Sequence, residues 1–550
     1  MKNIFLKLLA RLTLFFALTY NMLQAQTFEW AKQYGGTGDE VSRSVATDIV
    51  GNVYITGYSD SAYYDFFISK LDSNGNFIWT KSIGGPYLDQ ALNITIDSYF
   101  NLYISGNFSD SVDFDPSINV TQLTSTGLKD AFLLKLDSAG NFIWVKQFGG
   151  LSDDNGISTS IDNSNAIYFS GIFWDTVYVN TTSGLTHITS SGLGDVFVSK
   201  LDSAGNILWV KSIGGTQSDE VYSTTMDSNS NVLILGRFIS VCDFNPDSMV
   251  TNNLLSFGQA DVFVCKWDTA GNFVWVKQLG GSNYEAGLDI ITDAVNDIYI
   301  IGSFLDTIDV DPSTLVYSLY SKGNYDVYIA KLDNNGNLIW AKSWGGSGID
   351  FGFSLDNDGV GNIYTTGGFS DTVDFDSGSG IPPLIASSNR STFISKINSS
   401  GNLLWVKQLE SSSVSTGIKI SLDDNENIYI TGVFSDTCDF NPSNQVFNLI
   451  AVDGNDGFIV KWSQTGTAIV ELADKTDFMV FPNPFSDKLF LRINQPSLIS
   501  IKNTMGQMAY ERKLPDGVNA IDLSALQNGA YFIGVQSSNK YLSKTIIKTN

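Results

Sequence analysis

A tryptophan preceded by Gly-Asn and two apolar residues recurs at Trp79, Trp144, Trp209, Trp275, Trp340 and Trp405, at intervals of 65, 65, 66, 65 and 65 residues. Each copy follows Lys-(Leu/Trp/Ile)-(Asp/Asn), and most precede a Gly-Gly pair. Spacing this regular means that one supersecondary unit was copied, and that each copy buries its apolar face against the next. Trp30 opens the series 49 residues before Trp79, and the next anchor after Trp405 falls at Val470, so seven units follow one another. The last unit lacks its tryptophan, while the segment Thr27 to Gly36 is a complete strand without a unit. The simplest account makes that orphan strand the missing edge of the last unit.

Each unit reads as four strands. In the second they are Ala91 to Asp97, Leu102 to Phe108, Ala131 to Leu136 and Phe142 to Gln147, with period-two alternation and Asn, Asp or Gly at the turns. The turn Asp137 to Asn141 recurs at 202–206, 268–272 and 333–337, and its glycine suits the left-handed residue of a hairpin. These features predict an all-β chain, a seven-bladed β-propeller closed by an N-terminal strand and followed by a small C-terminal β-sandwich. An open solenoid is the rival, but it has no use for the orphan strand.

Lys2, Lys7 and Arg11 precede the apolar run Leu12 to Leu18, and Ala25 closes a cleavage site, so 1–25 reads as a signal peptide. The propeller is expected over 26–463, a linker over 464–476 and the tail module over 477–550. A net charge of −25 disfavours nucleic-acid partners, whose phosphates need clustered Lys and Arg. No other stretch reaches the roughly 20 apolar residues of a membrane helix, so no transmembrane segment is expected.

The tail carries Val480-Phe481-Pro482-Asn483-Pro484, then Asn503-Thr504-Met505-Gly506, then Leu526-Gln527-Asn528-Gly529-Ala530-Tyr531, and ends Lys544-Thr545-Ile546-Ile547-Lys548. These motifs resemble the type A C-terminal sorting domain of the type IX secretion system of Bacteroidetes, with Asn503 where that family has aspartate. The resemblance implies export, type IX secretion machinery as a partner, a secreted or cell-surface location, and a sorting role for Pro482, Asn483, Pro484, Gly506, Gly529, Tyr531, Lys544 and Lys548. The repeats, with Gly51-Asn52-Val53-Tyr54-Ile55-Thr56-Gly57 and Glu426 to Gly432, resemble the bacterial seven-bladed β-propeller repeat family. That likeness implies a fold and leaves the ligand open.

Chemistry is sparse. The single histidine, His187, has no counterpart in other units and no second imidazole to share a zinc ion. Cys242, Cys265 and Cys438 stand where small apolar residues are expected. An acidic motif recurs at Asp113 to Ser117, Asp243 to Asp247, Asp309 to Ser313, Asp374 to Asp376 and Asp439 to Ser443; it offers paired hard oxygens to calcium but lacks the longer spacing with a terminal Glu. No cofactor is therefore expected, with calcium the one candidate. Acids of the first strands fall mainly at their turn ends (Asp48, Asp97, Asp162, Asp227), which disfavours catalysis in the channel. Asp-(Ser/Thr)-small triplets resemble the O-glycosylation sequon of the same phylum and make Ser138, Ser203 and Thr269 candidate glycan acceptors. The connections between second and third strands run to about 20 residues, read as long variable loops, and are where binding is expected. The expected function is non-catalytic binding or adhesion toward an extracellular protein or glycan. A carbohydrate-active enzyme on the same ring and a structural surface-layer component are the alternatives.

Overall fold

The computed structural model describes residues 24–36, 38–59, 65–247, 249–376, 381–443, 445–466, 478–481, 485, 487–493, 495–503, 507–536 and 541–548. The expected leader up to Leu23 lies outside these residues, as do Pro482, Asn483, Pro484 and Gly506. Every regular element among the described residues is a strand, and no helix there is long and apolar enough to cross a membrane. The chain divides into two compact units, one spanning Gln24–Thr465 and the other holding the residues from Gly466 onward.

The larger unit is built from four-stranded antiparallel sheets in simple meander order. Unit one pairs Glu40–Thr47, Val53–Ser59, Phe66–Leu71 and Phe77–Ile83; unit two pairs Gln90–Ile96, Leu102–Phe108, Asp130–Leu136 and Phe142–Phe148. The pattern continues through units whose first strands are Asn155–Ile161, Glu220–Met226, Glu285–Thr292, Phe351–Asn357 and Ser415–Leu422. The seventh set takes Ile428–Asp439 and Asn448–Gly466, and its fourth strand is Gln24–Tyr34 from the other end of the chain. First strands of consecutive units lie side by side, and that of unit seven lies against that of unit one. There the Thr47 hydroxyl donates to the Leu422 carbonyl at 3.2 Å, as Thr95 donates to Thr159 at 2.9 Å between units two and three.

Second and third strands are buried on both faces, as in Leu102–Phe108 and Asp130–Leu136, because each sheet is covered by a neighbour on either side. That explains their nearly continuous apolar runs. Every first strand carries a bulge, at Arg43 in unit one and Leu92 in unit two. The bulge throws a carbonyl onto the second strand, and a Cβ at Gly57 or Gly106 would collide with it.

Four pairs of units are each bolted by one lysine in the same way. Lys70, Lys135, Lys200 and Lys461 place their ammonium groups 5.0, 4.9, 4.9 and 5.5 Å from the rings of Tyr54, Tyr103, Tyr168 and Tyr429 of their own sheets. The same ammonium groups donate to hairpin carbonyls of the next unit: Ser138 at 3.0 Å, Ser203 at 2.8 Å, Thr269 at 3.0 Å and, from Lys461, Ser73 of unit one at 3.0 Å. Five of the anchoring tryptophans lie over the left-handed glycine of the next unit's hairpin, as Trp79 over Gly140 (φ 80°) and Trp30 over Gly75 (φ 79°).

Two expectations shift. The last strand runs on to Gly466, so the expected linker cannot begin at Gln464: its side-chain amide donates to the Tyr364 hydroxyl at 2.6 Å and the Glu426 carbonyl at 2.8 Å, which holds it in the sheet. The connections between second and third strands are not irregular loops. In units two to seven they fold into two-stranded hairpins, such as Ser111–Asp113 with Gln122–Thr124.

Residues 478–548 form a three-stranded and a four-stranded antiparallel sheet around Leu489, Leu491, Ile499, Ile501, Ile521, Ile533 and Ile546.

Candidate functional site

The hairpins between second and third strands are the most individual surface of the repeat. Each starts at a left-handed residue: Asp110, Asp175, Ser240, Asp306, Asp371 and Asp436 have φ between 57° and 70°. Asp and Ser are tolerated there because short polar side chains can bond the local backbone. The acidic motif then closes a lobe. Asp113 Oδ1 accepts from the amides of Asp115 at 3.2 Å and Thr121 at 2.7 Å, and Asp309 Oδ1 from Asp311 at 3.1 Å and Tyr317 at 2.9 Å. The residue inside the motif, Phe114, Phe244, Val310 or Phe440, is fully buried and plugs the lobe into the core. So the motif works as an anchor. Among the described residues no group of three or more His, Cys, Asp or Glu side chains is gathered to hold a metal ion.

The lobe tips are apolar and exposed: Ile118 is 98% exposed, Met249 88%, Leu315 70% and Val446 70%. Val120, Val250, Val316 and Phe447 stand beside them, also exposed. Four units thus present an exposed apolar residue between the acidic motif and the strand that closes the lobe. Exposed apolar residues gathered this way mark contact surfaces. Six of the outer strands add one exposed aliphatic residue each, just before the tryptophan, such as Ile78, Ile143 and Ile339.

The first strands carry charge that their Ser, Thr and Ile pattern does not announce. Asp289 is buried and accepts from the hydroxyls of Ser223 at 2.8 Å and Ser354 at 2.7 Å, and from the Leu355 amide at 3.2 Å. Lys419 of unit seven reaches it at 2.7 Å. Asp356 accepts from the Leu422 amide at 2.8 Å, and its carboxyl is pushed up to about 6 by burial, with Asp289 adding to the rise and Lys419 opposing it. These three residues were missed because each is alone among seven equivalent positions. By contrast, Asp48 and Asp97 are spent on their turns, as expected: Asp97 accepts from the Tyr99 and Asn101 amides at 2.9 and 2.8 Å and from the Tyr103 hydroxyl at 3.1 Å.

The remaining candidates are placed as follows. His187 lies exposed on a hairpin of unit three, opposite Tyr178. Cys242, Cys265 and Cys438 are free and buried in apolar clusters. Ser203 and Thr269 are exposed at hairpin tips and Ser138 is half-buried there; their carbonyls take the lysine bolts while the hydroxyls are not used by them. In the tail, Gly529 has a φ of 148° with open space around it, and Tyr531 donates to the Gln527 carbonyl at 2.8 Å. Lys544 is exposed, whereas Lys548 is buried, 3.3 Å from Asp487 and over the Phe485 ring at 5.7 Å. Asn503 accepts from the Gln507 amide at 2.9 Å, the task an aspartate would perform in that turn.

Comparison with known proteins agrees with these two units. The family model of the secretion system C-terminal sorting domain matches residues 479–549, and that of the β-propeller repeat matches residues 29–65 and 404–433. The chain is 25% identical over 511 residues to an uncharacterised WD repeat-containing protein of Acanthamoeba polyphaga mimivirus, covering 79% of this chain and 36% of that one. It is 24% identical over 263 residues to the regulatory protein FlaEY of Caulobacter vibrioides, covering 44% and 26%. The chain therefore spans about a third and about a quarter of these relatives. Among solved structures, PorZ, a surface component of the type-IX secretion system of Porphyromonas gingivalis, aligns over 94% of this chain and 100% of its own at 10% identity and a TM-score of 0.25. A Dyadobacter fermentans protein aligns over 80% and 100% at 8% identity and a TM-score of 0.35. Scores this low carry neither fold nor function across. The chain carries a type IX secretion sorting domain, which directs export to the outside or the outer surface, and β-propeller repeats.

Proposed function

We propose that this is a secreted or cell-surface protein whose four-stranded units form a closed seven-bladed propeller, sealed by Gln24–Tyr34, that binds an extracellular protein or glycan without catalysis. Support for closure comes from equivalence. Gln33 donates to the Ile450 carbonyl at 2.8 Å and to Asp456, as Gln147 does to the Thr124 carbonyl and to Asp130. Trp30 donates to the Ser73 carbonyl at 3.1 Å, as Trp340 does to that of Ser399 at 3.0 Å. The strand Gln24–Tyr34 thus stands where a fourth strand stands elsewhere. Residues 1–25 serve as the export leader in this reading, so the sealing strand of the mature chain begins at Gln26, and the tail engages the type IX machinery.

The observation that carries the binding role is the recurrence of exposed apolar tips at Ile118, Met249, Leu315 and Val446 on a rigid scaffold. A glycan and extracellular-protein array probed with the secreted chain tests it. Replacing the four tips by serine should abolish the captured signal while leaving the melting temperature within a degree or two; retained capture would overturn the assignment. Asp289, Asp356 and Lys419 favour a second reading, a carbohydrate-active enzyme. Polysaccharide breakdown that disappears in Asp356→Asn would establish it.

A further inference from the structure

Unit three departs from the other lobed units at the place where they carry the acidic motif. Tyr178, Asn180 and Thr181 stand where unit two has Asp113, Asp115 and Pro116 and unit seven has Asp439, Asn441 and Pro442. In unit seven Asp439 Oδ1 accepts from the amides of Asn441 and Phe447 at 3.0 and 2.8 Å, which closes the lobe. Tyr178 has no carboxylate to do this, and no proline follows to stop the ladder. The connection therefore runs as a six-residue hairpin, Thr176–Thr181 with Gly184–Thr189, where unit two pairs only Ser111–Asp113 with Gln122–Thr124. Its far end is tied to the outer strand of its own unit: Thr181 pairs with Ile207, and the Thr182 amide donates to the Ile207 carbonyl at 2.8 Å.

Alternation along this strand sorts its side chains. Val177 and Val179 are buried, as Val112 and Phe114 are in unit two. Tyr178 is 60% exposed, and Asn180 is exposed on the same face. His187, paired opposite Tyr178, flanks its ring at 5.7 Å between centroids. Between this hairpin and the outer strand of unit two lies a cavity of about 530 Å³, lined among others by Tyr178, Asn180, Thr182, Thr126, Lys146 and Asn206.

A comparison within the chain singles this cavity out. The equivalent space between units six and seven, about 480 Å³, is lined by Lys407, Gln408, Glu410, Asp439 and Asn441. Between units two and three the same places hold Lys146, Gln147, Gly149, Tyr178 and Asn180. Both acids are gone, and no acid lines the cavity, in a chain with 57 acidic residues against 32 basic ones. A cavity of similar size across the first strands is again lined by acids, Asp162, Asp227 and Asp293. Among the described residues the Asn180 amide, the Thr126 and Thr182 hydroxyls and the Lys146 ammonium have no hydrogen-bond partner, so their donors and acceptors face the space unspent.

We propose that this cavity binds a neutral saccharide, with the Tyr178 ring as the platform for one sugar. A sugar ring offers an apolar C–H face and a rim of hydroxyl groups that both donate and accept. The face suits the electron-rich side of the tyrosine ring; the rim suits the amides of Asn180 and Asn206, which also do both, and the donating ammonium of Lys146. The volume lies within the range of small-molecule sites, roughly 300–1,000 Å³. Charge selects among sugars: a net charge of −25 repels a polyanion at range, and a cationic ligand finds no acid in the walls. The site is separate from the lobe tips that carry the binding role above, since none of them lines it.

Titration of the full chain by saturation-transfer NMR tests the assignment, with cellotetraose, mannotetraose, xylotetraose and maltotetraose as neutral probes and tetragalacturonate as the acidic one. In solution a Kd of about 1 mM, only about 4 kcal/mol, is readable, whereas a washed array does not retain it. At least one neutral probe should bind, and Tyr178→Ala should weaken it about tenfold. Asn180→Ala should weaken it about threefold or more. Both side chains are exposed, so the melting temperatures should stay within about 1–2 °C of wild type. I118S/M249S/L315S/V446S should bind the same probe as wild type does; array capture retained by that variant would strike the tips and leave this site standing. No binding by any neutral probe at about 10 mM, binding by tetragalacturonate alone, or binding that Tyr178→Ala leaves unchanged overturns the proposal.

Discussion

Trp30→Ala should cost the larger unit about 4 kcal/mol, far more than truncation at a lobe tip. Trp30 is 8% exposed and packs with Val45, Val53, Ile55 and Leu71 of unit one and with Tyr429 and Ile459 of unit seven. An indole of this size buries roughly 200 Å², about 5 kcal/mol at 25 cal/mol per Å² as an upper bound, and measured Trp→Ala losses in cores run from about 3 to 5 kcal/mol. Its hydrogen bond to the Ser73 carbonyl adds less than the usual ~1 kcal/mol, because Lys461 still serves that carbonyl at 3.0 Å and no acceptor is orphaned. Trp30→Phe should therefore lose only about 1–2 kcal/mol. Guanidinium unfolding followed by far-UV circular dichroism, which does not depend on the lost indole, reads both, with Ile118→Ala as the exposed control expected within ~0.5 kcal/mol of wild type. A Trp30→Ala loss no greater than that control would refute the reasoning, since the residue could not then be joining the two ends of the repeat.

Lys266→Met should destabilise by about 3 kcal/mol at neutral pH, because it strands the buried Asp227 carboxylate now paired at 2.8 Å; unfolding at pH 3, where Asp227 can take a proton, should show a smaller loss. Chelation by EDTA, followed by added calcium, should move the melting temperature by less than about 1 °C, because the lobe acids already accept backbone amides; a rise of several degrees with calcium would establish a metal role. Deleting residues 478–550 should leave the larger unit folded and hold it in the periplasm, as fractionation and blotting would show; wild-type levels in the medium would remove the sorting role.

The strands were legible because their alternation and turn residues recur: the second strand of unit two was expected at Leu102 to Phe108 and is found there, the third and fourth differ by one residue at one end, and the first is shifted by one residue. The reasons for several repeated residues were not legible. The lysine before each Asp or Asn could have been a solvated surface charge, and only the fold places its ammonium on a tyrosine of its own sheet and a hairpin of the next. The Gly-Gly pair gave no reason for itself in the sequence, and it is glycine because a carboxyl and a neighbouring backbone fill the space of a side chain. The long connections hid their hairpins because Val112 and Leu123 alternate over only three residues. Asp289, Asp356 and Lys419 were invisible for the opposite reason, since a repeat search averages away whatever occurs once.

Amide hydrogen exchange across Asn448–Gly466 tests the central claim, that the strand Gln24–Tyr34 completes the last sheet and closes the repeat. In the full chain these amides should be protected as well as those of Asp261–Trp267, an internal third strand of the same kind. Deleting residues 24–34 should expose that edge and speed exchange in Asn448–Gly466 by orders of magnitude, with lesser gains in unit one, where Trp30 and Lys461 now reach Ser73. Exchange in Asn448–Gly466 that is fast in the full chain, or unchanged by the deletion, would contradict closure.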